Sequence, residues 1–312
     1  MYNLCCISNE LKEDGYSFQS MTWKRFNELR DTLGIKQTLH ELGTRWLNNV
    51  CVTYKIIKHC YNNGWGYRIS SDLFPVLTHP DFKNYISDVP QYQDIMETFK
   101  DISNDNKTWN VRISCHPDQF NVLASEDTSA VSKTIRELSL HSWIMDQIGA
   151  SATYHNPINI HVNCSKGSLA EIAERFMYWL DLCMPSVKNR LVVENEDKGI
   201  WNVENLYNYF HVPYGIPITF DNLHHKCNPG LLSEYEAIKI CSSTWYDYKP
   251  LFHYSESDPD NKNKRAHAEH PTCKPCSDDY DWDIELKGKD KAIRMISLIE
   301  LAEQAQELNL GY

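Results

Sequence analysis

Six apolar runs in this sequence end in an imidazole or a carboxylate. His116, His161, Glu194, Asp221, His253 and Glu285 each close such a run, and His224 follows Asp221 across a tight turn. A buried imidazole or carboxylate is costly unless it is paired or coordinated. The recurrence therefore calls for a compensating charge, which divalent metal ions supply. The mixed nitrogen and oxygen donor set suits Zn²⁺, Mn²⁺ or Fe²⁺ rather than Ca²⁺ or Mg²⁺ alone. Two or more such ions close together would activate water and stabilise the attacking and leaving oxygens in phosphodiester hydrolysis.

The other histidines and the cysteines rank lower. His155 precedes a proline and competes with His161, which ends the better strand, Ile158 to Val162. His225 is expected to point elsewhere, and His267 and His270 lie in a polar loop where a solvated imidazole is ordinary. Cys273-Lys274-Pro275-Cys276 lacks the second pair of a zinc knuckle. His116-Pro117-Asp118-Gln119-Phe120 is different: the proline fixes the turn and leaves an amide and an aromatic ring at its tip. Such a pair can stack on a base or replace one.

These donors meet only if the chain brings its strand ends together. Strands are expected at Tyr2–Ser8, Tyr67–Ser71, Val111–His116, Ile158–Val162, Arg190–Asn195, Ile216–Asp221, Pro250–Ser255 and Trp282–Glu285. Helical spacing covers Thr22–Leu42, Trp46–Tyr61, Ser132–Ile148, a stretch capped by Ser168 and Glu171, Val203–Phe210, Glu234–Ser243 and Asp290–Leu308. The alternation predicts a single-domain (β/α)₈ TIM barrel over residues 1–312, although a doubly wound sheet gives a similar string. Reactive residues at successive strand ends favour the barrel, whose active sites are built on that face.

With 42% hydrophobic and 23% charged residues, the 312-residue chain is globular rather than disordered. Its net charge of −11 argues against coating nucleic acid by bulk charge. Eleven irregularly spaced cysteines do not form a disulfide framework, and no signal peptide or membrane span is seen, so an intracellular protein is expected.

The residues resemble the UV damage endonucleases, repair enzymes on TIM barrels similar to endonuclease IV. The resemblance is carried by Tyr67-Arg-Ile-Ser-Ser-Asp-Leu-Phe-Pro75, Arg112-Ile-Ser-Cys-His-Pro-Asp-Gln-Phe120, Leu191-Val-Val-Glu-Asn195, Ile218-Thr-Phe-Asp-Asn-Leu-His-His225, Phe252-His-Tyr-Ser255 and Glu285-Leu-Lys-Gly-Lys289. It implies up to three divalent metals, often Mn²⁺, and incision of damaged double-stranded DNA immediately 5′ to a lesion, leaving 3′-hydroxyl and 5′-phosphate ends. Carried over, His116 and His161 hold one metal and Glu194 bridges to a second, which Asp221, His253 and Glu285 complete. His224 and His267 hold a third. Glu194, Asp221 and Glu285 are then the catalytic carboxylates, Gln119 and Phe120 wedge into the duplex, and Arg68 and Ser70 contact DNA.

The sequence also departs from the family pattern. A first-strand Gly-Tyr is replaced by Leu4-Cys5-Cys6-Ile7, and Phe120 stands where tyrosine is common. Leu251 stands where some members carry a modified lysine, with Lys249 out of phase. The segment from Lys12 to Asn63 matches only loosely. An abasic-site endonuclease shares the metal cluster but needs less lesion probing. A metal-dependent sugar isomerase or epimerase would use fewer histidines. Three divalent ions would still leave the chain acidic, so DNA must be gripped by a basic rim near the barrel mouth, in a salt-sensitive way.

Overall fold

Eight short strands alternate with helices along the chain: β1 Tyr2–Cys5, β2 Gly66–Ile69, β3 Ile113–Cys115, β4 Ile158–Ile160, β5 Leu191–Glu194, β6 Ile218–Thr219, β7 Leu251–Tyr254 and β8 Asp281–Ile284. All pair in parallel, in the order β6-β5-β4-β3-β2-β1-β8-β7. The seam closes through one bridge, Asp221 to His253, where the His253 N–H donates to Phe220 O at 2.8 Å. The computed structural model, a (β/α)₈ TIM barrel, describes residues 1–118 and 120–310.

All but one of the strand residues are buried, as expected of parallel strands covered by helices. The core runs continuously from the strands into the inner helix faces through Trp46, Phe99, Phe176, Phe210 and Trp245. No helix of the described residues is long and apolar enough to cross a membrane. All eleven cysteines are free thiols.

Several elements differ from the sequence reading, among them the short helix Asn222–Cys227 where a tight turn was expected after Asp221. The stretches expected at Thr22–Leu42 and Trp46–Tyr61 form one element, Trp23–Asn63, bent at Gly34, whose φ of 77° suits glycine. The helix Tyr92–Trp109 was not expected, although its buried Ile95, Phe99 and Ile102 recur at helical spacing.

The floor of the barrel, at the N-terminal strand ends, is closed by two buried arginines. Arg112, just before β3, donates to His155 O at 2.8 Å, Lys249 O at 2.8 Å and Asp281 Oδ2 at 2.7 Å. Arg190, just before β5, donates to Ser151 O, Ala150 O and the Ser142 hydroxyl, and pairs with Asp146 at 2.7 Å. His155 and Lys249 therefore belong to this end, with Lys249 Nζ 2.8 Å from Asp281 Oδ1.

Candidate metal centre

The opposite end collects the reactive residues. Glu194 ends β5, His116 follows β3 and His161 follows β4. Asp221 caps the short Asn222–Cys227 helix after β6, His253 lies in β7, and Glu285 follows β8. Glu194, 1% exposed, is the hub. Its carboxylate lies 3.0 Å from His116 Nε2, 3.8 Å from His161 Nε2, 3.1 Å from His224 Nδ1 and 3.2 Å from His253 Nδ1. His253 Nδ1 also lies 3.3 Å from Glu285.

A buried carboxylate among four imidazoles sets their charge states. Burial opposes the Glu194 charge, but His253, His161, His116 and His224 override it and hold its carboxyl well below the ordinary range. Burial and the neighbouring rings push His161 down to about 4, against the pull of Glu194. Burial also works against a charged His253, yet Glu194 and Glu285 push it up to about 9. The same contest leaves His224 raised, through Asp221 and Glu194. Asp221 is raised chiefly by its own burial.

A second layer orients these donors. Asn159 donates to Glu194, and Arg68 donates to Glu285. Asn195 joins Asp221 twice, through Nδ2 to its carbonyl at 3.0 Å and Oδ1 from its N–H at 2.8 Å. Behind His253, Asp283 Oδ2 lies 3.5 Å from Nε2, and Asn3 and Ser114 donate to Asp283 at 2.8 and 3.3 Å. A carboxylate behind a histidine fixes its tautomer and turns the other nitrogen toward a metal.

Three donor groups have their atoms within 4.8 Å of one another: His116, Glu194 and His253; His161, Glu194 and His224; Asp221, His253 and Glu285. His116 and His161, expected to share an ion, have ring centroids 5.3 Å apart and both face Glu194. His267 lies at the edge, with Nε2 3.9 Å from Glu285 and Nδ1 2.9 Å from the Glu285 carbonyl. Asp221 Oδ2, His161 Nδ1 and His253 Nδ1 are buried without a hydrogen-bond partner among the described residues. Buried carboxylate oxygens and imidazole nitrogens without a hydrogen bond are the mixed donor set that divalent cations of the Zn²⁺ or Mn²⁺ kind take as ligands once any ring proton is displaced.

The remaining expectations are placed as follows. Phe120 is 79% exposed on the loop after β3, and Gln119 lies outside the described residues. Arg68 and Ser70, expected to touch DNA, are 9% and 4% exposed. Arg68 stays inside because the Glu285 and Asp283 carboxylates hold its guanidinium there. Leu251 is buried in β7. His225 packs on Phe220, away from the cluster.

Sequence reasoning missed Asp283, Asn159 and Asn195, whose roles depend on partners from other strands. It also missed Glu196, which accepts the Asn163 N–H at 2.7 Å and is raised to about 7 by burial. A separate trio, Glu10, His59 and Asp290, is a structural pin: Arg294 holds Glu10 at 2.8 and 2.9 Å, and Ser8 and His59 hold Asp290 at 2.8 and 2.9 Å.

A family model described as UV-endonuclease UvdE matches residues 2–310. The UV DNA damage endonuclease of Bacillus cereus (strain B4264) is 30% identical over 247 residues, spanning 75% of this chain and 74% of the relative. The crystal structure of SacUVDE superposes with a TM-score of 0.78 at 25% identity, covering 99% of this chain and 98% of that one. Endonuclease IV from Thermus thermophilus shares the fold, with a TM-score of 0.54 at 14% identity over 80% of this chain and 94% of that one. The chain belongs to the UV-endonuclease UvdE family.

Proposed function

We propose that this chain is a metal-dependent endonuclease that cuts damaged double-stranded DNA immediately 5′ to UV photoproducts, leaving a 3′-hydroxyl and a 5′-phosphate. The observation that carries the reading is the buried Glu194 carboxylate ringed by four imidazoles, in a chain of the UV-endonuclease family. Curated relatives named UV DNA damage endonuclease support the substrate class. Glu194 would bridge ions held by His116, His161, His224 and His253, while Asp221 and Glu285 complete the set and His267 serves its edge. Mn²⁺ is the proposed ion. When bound, such ions supply the Lewis acidity and positive charge that phosphodiester cleavage needs.

The chain's own residues do the rest. Asn159 and Arg68 fix the Glu194 and Glu285 carboxylates, so little reorganisation is left when charge develops. The exposed Phe120 ring offers a stacking surface at the rim, and with Gln119 would occupy the gap left by an extruded dinucleotide. Unstacking is cheapest where a lesion has already weakened the helix, which is one source of selectivity.

Supercoiled plasmid, irradiated or not, incubated with and without Mn²⁺ and with a chelator, tests this reading. Nicking should require both irradiation and metal, and the nicks should be sealed by a DNA ligase. Nicking indifferent to irradiation contradicts the proposal. Cutting at abasic sites with none at photoproducts supports an abasic-site endonuclease instead.

A further inference from the structure

On a chain of net charge −11, one concavity has the opposite character. A groove of about 700 Å³ opens between the Asn222–Cys227 helix and the loop after β7. Lys226, Lys262, Lys264 and Arg265 line it beside Ser257 and Asn263, and no acidic residue among the described residues does. All four cations are exposed. Arg265 pairs with Asp197 at 3.0 Å, whereas Lys226, Lys262 and Lys264 enter no ion pair among the described residues.

The loop that gathers them is built, not slack. Asp258 N–H donates to Ala266 O and Ala268 N–H to Glu256 O, both at 2.7 Å, and Asp258 is pinned by Lys287 at 2.9 Å. Ser257 bridges His267, so the loop's root reaches the edge of the cluster, and Lys226 lies two residues beyond His224. Like charges drawn together repel in the absence of an anion. The strand order sets β7 opposite β3, so the groove faces Phe120 across the barrel mouth with the cluster between them.

We propose that this groove binds the phosphate backbone of the DNA duplex on the far side of the site from Phe120. The inference rests on the endonuclease reading and locates the grip that an acidic enzyme needs on a polyanion. Three free ammonium groups supply point-charge contacts to successive phosphates. Such contacts position a duplex without reading its sequence or its damage.

Metal-loaded full-length protein and an unirradiated labelled duplex test the groove by fluorescence anisotropy across about 50 to about 200 mM salt. Each phosphate contact contributes about 0.9 to the slope of log affinity against log salt. Combined Lys226→Gln, Lys262→Gln and Lys264→Gln should therefore flatten the slope by about 2.7, and each single change by about 0.9. The corresponding Lys→Arg changes should restore it, and Lys107→Gln, an exposed lysine at the floor end of the Tyr92–Trp109 helix, should leave it as in the wild type. An unchanged slope in a folded triple variant overturns the groove, as does flattening that arginine does not restore. A wild type that binds duplex yet fails to nick irradiated plasmid overturns the endonuclease reading alone; one that binds no DNA overturns both.

Discussion

Both ends of this barrel bury charge, and they handle it in opposite ways. At the floor, all three guanidinium nitrogens of Arg112 donate, and Asp281 answers the charge from 2.7 Å. At the mouth, Glu194, Asp221 and His253 are as deeply buried, yet Asp221 Oδ2 and one nitrogen each of His161 and His253 make no hydrogen bond among the described residues. The floor is balanced by its own chain and serves stability. The mouth is balanced by protons on His253 and His224, which a divalent cation could replace. In a barrel, that division between a stabilising bottom and a reactive top is the usual one.

The largest test of the contrast is Glu194→Gln. Plasmid nicking should fall to background in protein that circular dichroism shows to be folded, with some loss of stability because His253 and His224 lose their buried carboxylate partner. Full activity in that variant would remove the hub. Arg112→Met should cost stability while sparing the mouth, because it breaks the buried ion pair at the floor and leaves Asp281 to Lys249 and the N-terminal ammonium. Denaturant melts should register a loss of about 3–5 kcal/mol. The Asp281 carboxyl is lowered despite its burial, by Lys249 and Arg112. Its stabilisation is therefore full above the unfolded value of about 4 and is lost as pH falls through the lower folded value. Acid melts of Arg112→Met should show a smaller step, because Lys249 still faces Asp281, and a wild-type-like acid profile would contradict the assignment.

A smaller effect separates the layers of the mouth itself. Asp283 stands behind His253 at 3.5 Å and is buried. Asp283→Asn should weaken divalent-metal affinity by about 10–100-fold, read by competition with a chromogenic chelator, with little change in fold. Unaltered affinity would make Asp283 a packing residue only. Smaller still, Phe120→Ala should leave metal affinity and stability alone but reduce nicking of irradiated DNA. A stacking contribution of about 1–3 kcal/mol corresponds to about 5- to 150-fold. A change confined to stability would place the ring in packing instead.

The mouth was more legible in the sequence than its supports. His116, His161, Glu194 and Glu285 are readable because strands of three or four residues end close to where their apolar runs end, and a parallel barrel turns every such end to one face. The approach of His116 to His253 from the far side of the barrel was not readable, since it depends on how the barrel closes. Arg68 shows the same limit: the segment that carries it is recognisable, but its burial against Glu285 depends on β8. Asp283 and Asn159 lie within strands, where an inward polar residue looks like any alternating position. The Tyr92–Trp109 helix carried a visible apolar spacing and is the one omission that pattern alone could have repaired.

Calorimetric titration of the metal-free protein with Mn²⁺ near pH 7, repeated in buffers of different ionisation enthalpy, tests the central claim most directly. His253 is pushed up to about 9 and His224 is also raised, so both rings carry protons there that a metal must displace. The same shift makes His253 stabilise the metal-free fold fully below its unfolded value of about 6.5 and progressively less as pH rises through about 9. The account predicts tight binding that releases about two protons and is lost in Glu194→Gln. Absence of binding, or binding that neither releases protons nor notices Glu194, would contradict it.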